Sequence, residues 1–287
     1  MNNDLSLLLD ICIDVFSKHS HRSALSQMVQ LNRQENILYN LDPSDSSRRS
    51  LMKAHGILMI FAWILFASTG ILIARHFKPV WPENKLCGKP LWFAVHRAVM
   101  ISVVVFTIIA FILILIYTKG TWVPQSERRG FAHSIIGIII ISFAVIQPIM
   151  AIFRCKPDAE YRFIFNYAHA SVGLSAFILS IVALFLAMFF DQLNFQDSTE
   201  WGILVGWTCW VVVIFIVFWF LEYYFRKQQT NEQQPSSYDL DNTTPKPEPV
   251  PARNQPEHDR IKLALLILHI LVALGLSIAL ATRIGQA

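Results

Sequence analysis

Six stretches of this chain are apolar almost without a break, and the segments between them are polar. They run roughly over Ala54–Ala74, Leu91–Tyr117, Phe131–Phe153, Phe163–Phe190, Trp201–Phe225 and Leu263–Ala281, numbered here as spans 1 to 6. Each is about as long as, or longer than, the roughly 20 residues an α-helix needs to cross the hydrocarbon of a bilayer. Phe, Ile, Leu and Val fill them on all sides, unlike the single apolar stripe of a soluble surface helix. Trp92, Tyr117, Trp201, Tyr223 and Tyr224 lie near span ends, where an interfacial aromatic belt would place them. Composition agrees, with 54% hydrophobic and only 15% charged residues, far from an ordinary soluble domain. The predicted class is an all-α integral membrane protein with six transmembrane helices.

The polar segments divide the chain. Residues 1–50 carry no sustained pattern and read as a polar tail. Its short apolar run, Leu5 to Leu9, is broken by Asp10 and Asp14 and has no basic start, so it does not read as a signal peptide. Residues 51–190 hold spans 1 to 4, and residues 191–225 hold span 5. Residues 226–260 are rich in Gln, Pro, Asn, Ser and Thr and read as a flexible linker, with span 6 and the C-terminus in 261–287. Loops of about 9 to 17 residues join spans 1 to 5, which makes neighbouring spans antiparallel.

Basic residues set an expected orientation. Nine lie beside one face: Arg75, Lys78, Lys85, Lys89, Arg154, Lys156, Arg162, Arg226 and Lys227. Six lie beside the other: Arg48, Arg49, Lys53, Lys119, Arg128 and Arg129. The excess puts the 1–2 and 3–4 loops in the cytoplasm and the N-terminus on the exoplasmic side. The linker is then cytoplasmic, and its sequon Asn242-Thr243-Thr244 stays unmodified. The net charge of +4 adds nothing further and calls for no nucleic-acid partner. Cys12, Cys87, Cys155 and Cys209 form neither a disulfide framework nor the C-x-x-C-H of covalently attached haem.

Among nine histidines, four stand out: His55, His96, His133 and His169. Each lies near the entering end of one of spans 1 to 4. Ionisable groups inside spans are costly and mark function by default. Because the spans alternate in direction, His55 and His133 share one depth, and His96 and His169 share the other. Two facing neutral imidazoles can supply both axial ligands of a haem iron. The expectation is a four-helix di-haem core, its two sites separated by roughly 20 Å along the normal. Zinc would want four ligands in one place. Gly137 and Gly173, each one turn beyond a histidine, would bare helix surface for a macrocycle, although glycine also serves helix packing. Arg97 follows a ligand and would meet a haem propionate or snorkel to the interface. Gln147-Pro148 would kink span 3. His76 reads as an interfacial side chain and His269 as a structural one in mid-span; His19, His21 and His258 belong to polar segments. Ala54-His55 answers Ala132-His133, and Trp92 to His96 answers Phe165 to His169, as two copies of one hairpin would.

Together, Lys53-Ala54-His55-Gly56, Arg75-His76-Phe77-Lys78-Pro79, Trp92-Phe93-Ala94-Val95-His96-Arg97, Ala132-His133-Ser134 and Asn166-Tyr167-Ala168-His169 carry a resemblance. Residues 51–225 resemble the cytochrome b561 superfamily, and more closely its branch in which the core follows an extracellular DOMON domain, as in ferric-chelate reductase-like proteins. The resemblance implies two haem b groups, one on the first and third histidines and one on the second and fourth. The 50 residues before span 1 leave no room for a DOMON domain, so that partner is not expected in cis. Only Arg75 and Lys78 approximate the basic signature of the ascorbate-reducing branch, and the resemblance makes them a donor-binding pair.

The expected function is electron transfer across a plasma membrane or endomembrane, from a cytosolic one-electron reductant such as ascorbate to an exoplasmic ferric chelate. No glycine loop for a nucleotide is present, so direct hydride transfer from NAD(P)H is not expected. A homodimer is compatible with this reading. One alternative is a non-redox adaptor or receptor whose histidines only pack. Another is a transporter, whose polar groups should lie near the midplane.

Overall fold

The computed structural model describes residue 30 and residues 43–81, 84–153, 159–190, 198–232 and 256–286. The chain forms two units, Met1–Met52 and Lys53–Ala287. In the first, the described residues from Pro43 onward are helical. His19, His21, the sequon at Asn242, and the basic residues Arg154 and Lys156 lie outside the described residues.

Six helices are long and apolar enough to cross a membrane: Ser46–His76, Leu91–Tyr117, Arg128–Ile152, Arg162–Ala187, Thr199–Gln228 and Glu257–Gln286. They are the six predicted spans. In lipid the backbone must satisfy its own hydrogen bonds, so an uninterrupted apolar run has little choice but helix. The differences lie at the ends. The helix of span 1 starts at Pro43, where proline's missing N–H costs nothing. The helix of span 5 runs from Ser198 to Glu232, which puts Arg226 and Lys227 on the helix rather than beyond it. Lys, Arg, Gln and Glu are good helix formers and prolong the span once it has nucleated. Span 6 is helical from Pro256.

Span 1 is not a uniform α-helix. Pro43–Ile60 and Ser68–His76 are α-helical, and Phe61–Ala67 between them is π-helical. Ala62, Trp63, Ile64, Leu65 and Ala67 of that segment are buried. A π turn takes one more residue than an α turn, so it rotates the two halves of the helix against each other. Span 1 is also the central helix. Of its apolar window 56% is buried, against 11–28% in the other five, whose outer faces are left for lipid.

Spans 1 and 2 pack as one antiparallel pair and spans 3 and 4 as another, with span 2 against span 3 and the π segment against span 4. These contacts close spans 1 to 4 into a ring. Spans 5 and 6 pair with each other and lie against span 1. Ion pairs, each with one buried partner, tie spans 5 and 6 together at both ends. Arg283 Nε donates to Glu200 Oε1 at 2.5 Å, and Lys262 Nζ donates to Glu222 Oε1 at 3.3 Å. Lys53 Nζ reaches the Gly285 carbonyl at 3.1 Å and joins span 1 to the end of span 6. The loop between spans 1 and 2 holds a small hairpin, in which Lys85 pairs with Pro90 and Leu86 with Lys89. Its two turn residues, Cys87 and Gly88, have φ of 51° and 72°. Positive φ at both central positions is what a tight two-residue hairpin turn requires.

Candidate functional site

At the face where span 1 begins, the structure brings His55 and His133 together. Their ring centroids are 6.4 Å apart and the planes meet at 68°. Each ring is oriented through its other side. His55 Nδ1 lies 2.9 Å from the Ala110 carbonyl of span 2, and His133 Nδ1 lies 3.0 Å from the Ala183 carbonyl of span 4. A carbonyl only accepts, so the proton of each neutral ring sits on Nδ1. The lone pair is then left on Nε2, where a metal would be bound. Phe190 stands edge-on to His133 at 5.2 Å.

The same device appears at the opposite face. His96 Nδ1 donates to the Gly70 carbonyl of span 1 at 2.9 Å, which again puts the ring proton on Nδ1. His169 is held differently. Its ring stacks on Phe165 at 5.7 Å, and its backbone carbonyl accepts from Gln147 Nε2 of span 3 at 2.9 Å. Arg162 lies 5.2 Å over the Phe165 ring.

Sequence reasoning singled out the four rings but missed the carbonyl acceptors of three of them. Gly70, Ala110 and Ala183 are small residues, each on the span that pairs with the histidine's own and near the depth of that histidine. Small size is what lets an imidazole reach a helical carbonyl. The available signal was a Gly or Ala opposite each of these three histidines in an antiparallel neighbour. At Gly70 an added Cβ would lie 2.6 Å from Met100 Sδ, so the close packing there is real.

The remaining predicted residues divide. Arg75 and Lys78 are exposed, but only Lys78 lies beyond the helix of span 1; Arg75 stands in its last turn, because the helix runs on to His76. Arg97 is exposed and lies 5.9 Å over the Phe93 ring. Gly137 has open space where a Cβ would stand, as a bared helix surface requires. Gly173 does not, because Gln147 Nε2 would meet its Cβ at 3.2 Å. The helix of span 3 continues through Pro148. His76 is not interfacial. It is 3% exposed and stacked on Phe218, with Nδ1 3.0 Å from Glu222 Oε1. His258 stands on the helix of span 6, its ring 3.9 Å from that of Phe225. Cys87 and Cys209 are free thiols.

Residues 54–196 match the family model of the eukaryotic cytochrome b561. This helical core belongs to the cytochrome b561 family. The chain is similar to ferric-chelate reductase 1 of Homo sapiens, 41% identical over 162 residues, covering 56% of this chain and 26% of the relative. It is similar to the Mus musculus protein of the same name, 37% identical over 160 residues, covering 56% and 26%. A cytochrome b561 and DOMON domain-containing protein of Arabidopsis thaliana is 29% identical over 170 residues, covering 58% and 39%. The chain thus spans about a quarter of the length of the ferric-chelate reductases it matches. No solved structure matches it.

Membership in a family of b-type cytochromes implies haem b, and the donor set suits it. An iron with two axial imidazoles, each bound at about 2 Å, holds the ring centroids about 6 to 6.5 Å apart. The His55–His133 separation of 6.4 Å falls in that range. Among the described residues no group of three or more His, Cys, Asp or Glu is arranged to hold a metal ion, as a four-ligand zinc site would need. Open space at Gly137 leaves room beside His133 for a flat macrocycle.

Proposed function

We propose that this chain carries electrons across a bilayer through two haem b groups, one held by His55 and His133 and the other by His96 and His169. The observation that carries the reading is the 6.4 Å approach of His55 to His133, with both Nδ1 atoms engaged by backbone carbonyls. When bound, each haem supplies a one-electron redox centre.

The protein's part is to present, orient and tune. Hydrogen bonds from Nδ1 to Ala110, Ala183 and Gly70 select one tautomer and make each imidazole a stronger electron donor through Nε2. Alternation of helix direction puts one pair near each membrane surface, which the apolar span alone could not bridge for an electron. Arg97 is positioned to meet a propionate on the His96 side.

The excess of basic residues supports a cytoplasmic location for that side, in a plasma membrane or endomembrane. Arg75 and Lys78, exposed there, would gather an anionic reductant such as ascorbate. Each donor molecule gives up one electron, and an exoplasmic ferric chelate accepts it and becomes ferrous. The acceptor follows from the ferric-chelate reductases to which the chain is similar.

A reduced-minus-oxidised spectrum of the purified protein tests this, together with haem per polypeptide. The expected result is the band pattern of a bis-histidine b-type cytochrome at two haems per chain. A protein without it would be an adaptor whose histidines only pack.

A further inference from the structure

Midway through the bundle a run of hydrogen bonds crosses three spans. Trp210 Nε1 of span 5 donates to His269 Nδ1 of span 6 at 3.2 Å. Since Nδ1 accepts, the ring proton is on Nε2, which donates to Ser68 Oγ of span 1 at 3.0 Å. Ser68 donates onward to the Ile64 carbonyl at 2.5 Å. His269 and Ser68 are both 0% exposed. Every polar atom of the His269 ring is therefore used inside the protein, and in lipid such a chain is costly to break.

Its end point is the unusual part of span 1. Ile64 lies inside the π-helical segment Phe61–Ala67, and Ser68 is the first residue after it. One additional residue in a turn amounts to about 100° of rotation about the helix axis. The direction in which everything after Ser68 faces depends on that segment keeping its form. Two residues beyond Ser68 is Gly70, whose carbonyl accepts from His96 Nδ1. The acceptors for His55 and His133 lie elsewhere, on spans 2 and 4.

We propose that His269, with Trp210 and Ser68, is a positioning residue that holds the π segment of span 1. In doing so it fixes the Gly70 carbonyl against His96 and tunes the redox centre of the His96/His169 side alone. The inference rests on the haem assignment proposed above. Loss of the lock lets Gly70 turn away and weakens donation from His96 Nδ1. A less electron-rich imidazole stabilises ferric iron less, so the potential on that side rises.

The test is a redox titration with optical and electron paramagnetic resonance detection on the purified membrane protein. Wild type comes first: two b-type haems per chain, one lost in His55→Ala and the other in His96→Ala, satisfy the haem assignment, and their absence overturns it and this inference with it. With wild type as expected, His269→Ala should raise the potential that His96→Ala removes and shift the corresponding low-spin ferric signal. The other centre should stay in place. His269→Gln, which can accept from Trp210 through Oε1 and donate to Ser68 through Nε2, should restore most of the wild-type value. Both potentials moving together, or neither moving, overturns the inference while leaving the haem assignment intact. If His269→Ala does not accumulate, Ser68→Ala and Trp210→Phe each cut one link and keep the packing. Both should move the same potential in the same direction by less, and silence in both overturns the proposal.

Discussion

Two populations of histidine share this bundle, one half-buried and one buried, and they differ in how the protein has bonded them. In the ring of spans 1 to 4, His55, His96 and His133 each spend Nδ1 on a helical carbonyl, which directs the lone pair to Nε2. Against spans 5 and 6 the accounting closes differently. His269 has a donor on Nδ1 and an acceptor on Nε2, the opposite tautomer, and no valence remains for a ligand. His76 shares Glu222 with Lys262, whose Nζ also reaches the His76 carbonyl at 3.3 Å. In His269 both ring nitrogens are paired within the protein and the residue braces the fold, whereas the rings of His55 and His133 face each other.

The sharpest way to break this comparison is to remove the four core histidines one at a time. His55→Ala and His133→Ala should each abolish the same haem, and His96→Ala and His169→Ala the other, cutting haem content by about half. Titration of the four variants reads the grouping directly. A 55 with 96 and 133 with 169 grouping would refute the pairing across spans.

Next in size is the ion-paired cluster at the other end of spans 5 and 6. Glu222→Gln strands Lys262, which is 1% exposed, without its carboxylate. Breaking a buried pair from one side costs about 3 to 5 kcal/mol. Thermal denaturation should show that loss while the spectrum of the surviving folded protein stays unchanged. The double replacement Glu222→Gln with Lys262→Met should recover a good part of it. A spectral change without loss of stability would place this cluster in the redox machinery instead.

A smaller effect is expected at the exposed cations. Replacing Arg75 and Lys78 with Gln should slow haem reduction by ascorbate several-fold at low ionic strength, where exposed charges are least screened. Haem content should hold, and a small uncharged reductant should be little affected. Stopped-flow measurements with both donors separate docking from structural support, because equal slowing would mean the latter. The smallest expected effect is none at all: Asn242 in a cytoplasmic linker should carry no glycan. A glycosidase-sensitive mass shift lost in Asn242→Gln would turn the molecule over and exchange donor and acceptor sides.

Much of this was legible in the chain itself. Six apolar runs specify six helices, because lipid offers a backbone no other partner. Alternation of direction then sorts His55 with His133 and His96 with His169 by depth, which needs only the positions of the residues and the shortness of the loops. What spacing cannot supply is the rotation of each helix about its own axis. A helix that is apolar on every side carries no stripe to say which face meets which neighbour. For that reason the acceptors Gly70, Ala110 and Ala183 were invisible until the spans were packed. The burial of His76 against Phe218 and the Gln147 side chain filling the space beside Gly173 were hidden for the same reason. The π segment at Phe61–Ala67 had no local signal either. Its residues suit an α-helix, and only contacts with spans 2, 4 and 6, with Ser68 held by His269, make the extra residue per turn the better solution. Depth in the membrane is a property of one chain read in order, whereas facing is a property of two helices at once, and tertiary packing alone decided it.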